Sequence, residues 1–304
     1  MSGAPQLSAQ LDHVGAMVRN LATGVARWEA LGFTLTPESR QRGKLPDRDD
    51  EGPWATANRC AVFRQGYLEL IGIVDKTAFN PWTRFMDRFE GIHLVALRVS
   101  NADAAYAELA ARVAKVHPTV QRERKVMIDG IEASMRFRNV FSRDEAYPEG
   151  RYIVIEHQTP ELLWQPAYTT HPNGAVALES TVVVAKDVAG QCGRLRTLLG
   201  GAVADVVGDG KVFSAAGGGA IEVMTPETFT ERYGEAPSAE PAYAAVTIRF
   251  AERSRAVMHM LKQGVTVNRR GGRTFLDAAT TGGFVMELVG NQVESEGVAK
   301  CAQQ

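Results

Sequence analysis

The chain has 304 residues, 45% of them hydrophobic and 23% charged, a balance that can bury a core and excludes the polar bias of disordered chains. Its 34 basic and 35 acidic side chains nearly cancel, and no Lys/Arg stripe interleaves with aromatics. The electrostatic footprint of a nucleic-acid binder is therefore missing, and a small-molecule partner fits better.

In chain order, an alternating strand, LDHVGAMV from Leu11, leads into the helix NLATGVARWEALG, whose Val25, Trp28 and Leu31 share a face before Gly32 stops it. The strand FTLT is predicted to follow directly. After a loop containing Pro46, Gly52 and Pro53, the stretches RCAVFRQ and YLELIGIV flank Gly66 and read as a hairpin. The order β-α-β-β-β then repeats from Gly91: strand IHLVALRV, a helix capped by Asn101, and strands near Thr119, at SMRFRNVF and at RYIVIEH. The connector TPELLWQPAYTTHPNGA breaks both periodicities and marks a boundary between halves, 1–160 and 161–304. Two more units follow. LESTVVVA, VAGQCGRLRTLLGG, KVFSAA and AIEVMTP make the third, and YAAVTIRF, SRAVMHMLKQG, RTFLDAA and FVMELVG the fourth.

Cys60, Cys192 and Cys301 are scattered and lack CxxC spacing. Neither a disulfide framework nor a cysteine zinc site is indicated, and a reducing cytoplasm is the default location. Met1 to Gln10 carries no basic region followed by an apolar run, and nowhere do eighteen apolar residues stand together, so neither export nor membrane embedding is expected. Gly217, Gly218 and Gly219 are followed by no GK[ST] and read as a hairpin turn.

A paired βαβββ unit with DHV in an opening strand and φ-E-φ in a closing strand resembles the vicinal-oxygen-chelate superfamily of glyoxalases, bleomycin-resistance proteins and extradiol dioxygenases. LDHVGAMVRNL, WATANRCAVFRQGYLELIGIVD and HQTPELLW with HPNGA are similar to its glyoxalase-like branch. The resemblance covers nearly the whole chain. It implies an α+β fold of four tandem modules, closing into two cupped half-barrel mixed sheets with helices outside. It also implies that the first and fourth strands of each module supply metal ligands, which by position selects His13, Glu69, His93 and Glu156 in the N-terminal cup. Neutral imidazoles and carboxylates suit a divalent metal, here Zn, Ni, Mn or Fe.

Strand pleating allows His13 to share a face with Leu11 and Gly15, His93 with Gly91 and Val95, and Glu69 with Tyr67 and Ile71. Glu156 competes with the adjacent His157, since one slip in register exchanges them. The closing glutamate recurs as Glu222 and Glu287, but Ser180 and Ala244 stand at the opening positions of the last two units, so the C-terminal cup is expected to hold no such metal. His117, His171 and His259 are assigned no chemistry. Trp54, Asn58 and Arg59, and Trp82, Phe85 and Phe89, read as core or as pocket lining. For Arg122, Arg124 and Lys125, solvated charge is the default reading and anchoring of an anionic substrate the alternative.

Three functions follow from the resemblance. The first is a metal-dependent lyase or isomerase forming an enediolate, with Glu156 or Glu69 as the catalytic base. The second is a non-haem Fe(II) dioxygenase using His13, His93 and Glu156. The third is a metal-free binding protein of the resistance type. A homodimer is compatible with each.

Overall fold

The computed structural model describes residues 6–46, 50–128, 130–201, 204–205 and 210–290. Strand β1 (Gln10–Val18) ends where the Asn20 side chain accepts a hydrogen bond from the Thr23 amide, at 3.0 Å, and starts α1 (Leu21–Ala30). This satisfies one of the four amides that a helix start leaves unbonded. Strands β2 (Ser39–Lys44), β3 (Glu51–Val62) and β4 (Tyr67–Ile73) complete the first module. The expected strand FTLT lies outside the ladder. Thr36 bonds the Cys60 carbonyl and amide, but regular pairing with β3 begins only at Ser39. Gly66 turns the β3–β4 hairpin with φ +73°, and a Cβ there would lie 2.7 Å from the Asp12 carbonyl oxygen. Glycine is required by both the turn and the close approach.

The second module begins with a short helix, α2 (Thr83–Met86), followed by β5 (Gly91–Arg98) and α3 (Ala102–Ala111), which Asn101 caps as its sequence predicts. Strands β6 (Val120–Ile128), β7 (Ile131–Phe141) and β8 (Arg151–His157) close it. The third module is β9 (Ala175–Val184), α4 (Val188–Leu199), β10 (Ala204–Asp205), β11 (Lys211–Ser214) and β12 (Ala220–Met224). The fourth is β13 (Ala242–Phe250), α6 (Arg253–Lys262), β14 (Asn268–Arg270), β15 (Arg273–Leu276) and β16 (Val285–Val289). Between them lies α5 (Pro226–Tyr233), which the periodicity does not signal although Thr225 caps it and Pro226 opens it; α7 (Ala278–Thr281) precedes β16.

Among the described residues the strands form two eight-stranded mixed sheets, ordered β2-β3-β4-β1-β5-β8-β7-β6 and β10-β11-β12-β9-β13-β16-β15-β14. The order is the same in both, as expected of a duplicated pair of modules. In each half two modules join through an antiparallel contact between opening strands, β1 with β5 and β9 with β13. Each opening strand is parallel to its own closing strand.

One face of each sheet is packed against helices and the other sheet. Val14, Ala16, Leu68, Leu70, Val95 and Val154 share a continuous core with Val183, Val246, Ile248 and Phe284 from the second half. Trp28 is the bolt of that interface: its ring lies edge-on to Phe284, and its indole N–H donates to the Thr281 carbonyl at 2.9 Å. The connector adds a second fastening. His171 accepts from the Thr34 amide at 3.0 Å and donates to the Val62 carbonyl at 2.8 Å, so both ring nitrogens are used in a structural role. No helix among the described residues is long and apolar enough to cross a membrane.

Because the two halves share one core, they are expected to unfold together. Trp28→Ala should cost about 3–5 kcal/mol and Trp28→Phe, which keeps most of the ring packing, about 1–2 kcal/mol. Urea unfolding followed by fluorescence and far-UV circular dichroism checks both the magnitudes and the coincidence of the two transitions.

Candidate active site in the N-terminal cup

The concave face of the first sheet is lined by Met17, Cys60, Tyr67, Ile71, Leu94, Ala96, Phe137, Ile153 and Ile155. Asp12 joins the polar side chains at the centre of this apolar surface because β1 carries a bulge. Leu11 pairs with Leu97 and His13 with Ala96, which leaves Asp12 as the extra residue. The bulge breaks the simple alternation. Leu11 joins the helix-side core, and Asp12 and the neighbouring His13 meet side chain to side chain.

Asp12 is fully buried, and its Oδ2 accepts from His13 Nδ1 at 2.8 Å and from His157 Nε2 at 3.0 Å; Arg98 Nε stands 3.5 Å from Oδ1. Burial by itself would raise this carboxyl, but the charge and hydrogen bonds of His157 and His13 outweigh it and hold Asp12 well below the usual carboxylate range. With Nδ1 donating to Asp12, His13 Nε2 is left to face Glu69 Oε2, 3.8 Å away. The His13 ring stacks on Tyr67 with centroids 4.2 Å apart and planes 17° apart, which fixes its orientation. Burial first, then the negative charges of Asp12 and Glu69, push the Tyr67 phenol well above its ordinary value, with Arg124 acting against them.

Glu69 is held from the other side. Asn58 Nδ2 donates to Glu69 Oε1, and Asn58 Oδ1 accepts from Arg124 Nη1 at 3.1 Å. Arg124 lies on β6 and Asn58 on β3, which are near opposite edges of the sheet, so this bond spans the mouth of the cup. The connector seals the rim. Trp164 donates to the Phe63 carbonyl at 3.0 Å and sets its ring edge-on to both Tyr67 and His157.

The four residues selected for a metal do not converge. His13 and Glu69 face one another, but His93 and Glu156 lie elsewhere. The register gives the reason. A twofold axis between β1 and β5 exchanges the pair His13/Ala96 with Gly15/Leu94, and so carries His13 onto Leu94 rather than His93. His93 is the extra residue of a second bulge, between Ile92 and Leu94, and its twofold mate is Asp12. The same operation pairs the closing strands. Glu69 lies beside Gly15 and Ile153 beside Ala96, so the mate of Glu69 is Ile153. The second module therefore presents Leu94 and Ile153 where two donors are needed.

His93 is buried against Phe85 and Phe89 and donates from Nε2 to the Phe89 carbonyl at 2.9 Å. Glu156 faces the helix side with Tyr152 and Val154 and accepts from the Ala102 amide at 2.8 Å, in the first turn of α3. There it answers the positive end of that helix. His157, the alternative to Glu156, is the one that enters the cup. The two-histidine, one-carboxylate triad of His13, His93 and Glu156 is likewise not assembled. Among the described residues no group of three or more His, Cys, Asp or Glu side chains is spaced to hold a metal ion. The donor set therefore does not fit the four-ligand centre that the superfamily resemblance implies.

In the second sheet the register puts Ser180 and Ala245, not Ala244, at the opening positions, while Glu222 and Glu287 keep the closing ones. Helix α5 fills this cup, with Phe229 and Tyr233 packed against Val182, Val184, Phe275 and Val285. Arg232 binds Glu222 at 2.8 Å, and Arg273 and the Tyr233 hydroxyl bind Glu287 at 2.6–2.9 Å. Asp12, Asn58, Arg124 and Trp164 complete the N-terminal site. Asp12 and Trp164 stand inside the quoted motifs LDH and ELLW, but nothing in the spelling tells that a bulge and a connector turn bring them in.

The profile of a family described as "Glyoxalase-like domain" matches residues 11–199. No curated protein matches the chain at the level of sequence. Several solved structures share the fold. A hypothetical protein from Staphylococcus aureus superposes with a TM-score of 0.63 at 10% identity, over 94% of this chain and 100% of that one. A Mn(II)-bound glyoxalase from Novosphingobium aromaticivorans gives 0.53 at 15% identity, over 94% and 82%. A 4-hydroxymandelate synthase mutant from Streptomyces coelicolor gives 0.60 at 11% identity, over 94% and 93%.

The placement of His93 has a consequence for pH. Burial, opposed by the bond to Phe89 and aided by Arg88, lowers His93 from its ordinary 6.5 to about 4. Between these values the unfolded chain binds the proton and the folded one does not, so stability falls as pH drops through this window. The loss from this group should reach roughly 3 kcal/mol. Urea midpoints measured from pH 7 to pH 4 should show it, and His93→Gln should flatten that part of the curve.

Proposed function

Because the chain belongs to the glyoxalase-like domain family of the vicinal-oxygen-chelate superfamily, we propose that its N-terminal cup is a proton-transfer centre of the lyase or isomerase kind. Its substrate is a small, partly apolar molecule with an acidic C–H beside an oxygen function. The observation that carries this reading is the Asp12–His13 pair, with Nε2 of His13 directed at Glu69.

A buried carboxylate bonded to Nδ1 fixes the tautomer that leaves the Nε2 lone pair free, and stabilises the imidazolium formed when Nε2 takes a proton. His13 is the general base, and Asp12 is its positioning residue. Glu69, beside Nε2, is placed to receive that proton or return it to a neighbouring carbon, as an isomerisation requires. Trp164, Tyr67 and Phe137 supply apolar walls that keep water from competing. Metal-dependent enediolate chemistry would need donors where Leu94 and Ile153 stand, so no step is routed through a metal. A second reading, ligand binding without chemistry, is favoured by those same two apolar positions.

Two measurements separate the readings. Elemental analysis of protein purified without added metal should find well under one divalent ion per chain, and a stoichiometric ion would restore the metal reading. In D2O, the wild-type protein should catalyse C–H exchange on at least one member of a panel of small ketones, aldehydes and hydroxy acids followed by NMR. His13→Gln and Asp12→Asn should each slow that exchange by about 100-fold or more with unchanged circular dichroism. Saturable binding with no exchange would favour the binding protein.

A further inference from the structure

The polar line across the cup ends in a cation that no carboxylate among the described residues neutralises. Asp12 is matched by two imidazoles and Arg98, and Glu69 by the Asn58 amide. Arg122, on the same face of β6, stands 3.7 Å from Glu51. Arg124 differs. Among the described residues its guanidinium has one hydrogen bond, to the neutral Asn58 Oδ1 at 3.1 Å, and no ion pair.

Arg124 is only half-buried, with Val126 of the same strand face packed against the cup lining and Met135 opposite it across the ladder. Its orientation is fixed by an amide whose own direction is set by Glu69, because Asn58 must turn its NH2 to that carboxylate and its oxygen to Arg124. A guanidinium has five N–H donors in a rigid fork. One is used here, so the remainder can take a planar anion through two parallel bonds.

The geometry points to Arg124 as the anchor for a carboxylate carried by the substrate, which assigns the cup to small organic acids that present their reacting carbon toward His13. The location rests on the proton-transfer reading of the same cup, but the anchoring itself is a binding property. Asn58 serves as a positioning residue, linking the anchor to Glu69 so that occupancy at one end orients the carboxylate at the other. The uncharged lining between them, Tyr67, Leu94 and Ile153, suits the apolar body of such an acid.

Isothermal titration of the full chain with 3-phenylpropanoate and with its uncharged isostere 3-phenylpropanamide tests this. The wild-type protein should bind the acid at least about tenfold more tightly than the amide. Arg124→Gln should abolish that preference, and Arg124→Lys, a point charge without the fork, should keep only part of it. His13→Gln should retain the full preference, so loss of exchange activity and loss of anchoring are read separately. Equal affinities in the wild type, no saturable binding of the acid, or an undiminished preference in Arg124→Gln would each overturn the assignment.

Discussion

A single buried carboxylate shared by two imidazoles organises the N-terminal half of this protein. Asp12 cannot be ionised in an apolar cup without partners, since burial disfavours its charge. His13 and His157 supply them from β1 and from the end of β8, and Arg98 adds a third. The same bonds tie the opening strand of the first module to the closing strand of the second. Losing either imidazole would leave a charge under-compensated in the core, so the geometry of the site and the cohesion of the two modules rest on the same atoms.

The bulge that makes this possible is a small change with a large effect. One extra residue in β1 sends Leu11 to the helix side and lets two adjacent polar side chains meet. The equivalent bulge in β5 holds His93, which lies against Phe85 and Phe89 with a backbone carbonyl as its partner. The second half repeats the device at Glu179 and Ala244, each skipped in the β9–β13 ladder. Four copies of one module thus keep the kink and differ in what they place on it.

The two cups differ in what covers them. In the first, the connector contributes Trp164 at the rim, and Arg124 reaches across the mouth to Asn58, leaving the central His13–Glu69 pair facing inward. In the second, α5 inserts Phe229 and Tyr233, and every carboxylate at a closing position is bound by an arginine. A cup whose acids are paired and whose floor is packed serves as core; it stiffens the half against which Trp28 is bolted.

By itself the sequence determined the repeat, the order of elements, the Asn101 cap, the hairpin turns at Gly66 and Gly217, and the family, because these follow from local periodicity, capping chemistry and motif spelling. It also puts His13 and Glu69 on neighbouring strands, and the structure brings these two side chains face to face. Tertiary structure alone decided the rest. His93 aligns with His13 by spelling, yet strand register aligns it with Asp12, and register is set by pairing between residues some eighty positions apart. Glu156 and His157 are equivalent in a sequence that does not reveal strand phase, and only the ladder with β7 and the packing of Tyr152 and Val154 turns the histidine inward. Asn58 reaches Glu69 from the neighbouring strand of the β3–β4 hairpin, whereas Arg124 and Trp164 come from the opposite sheet edge and a connector. No local pattern encodes such meetings, because they arise from closure of the sheet rather than from the periodicity of any one segment.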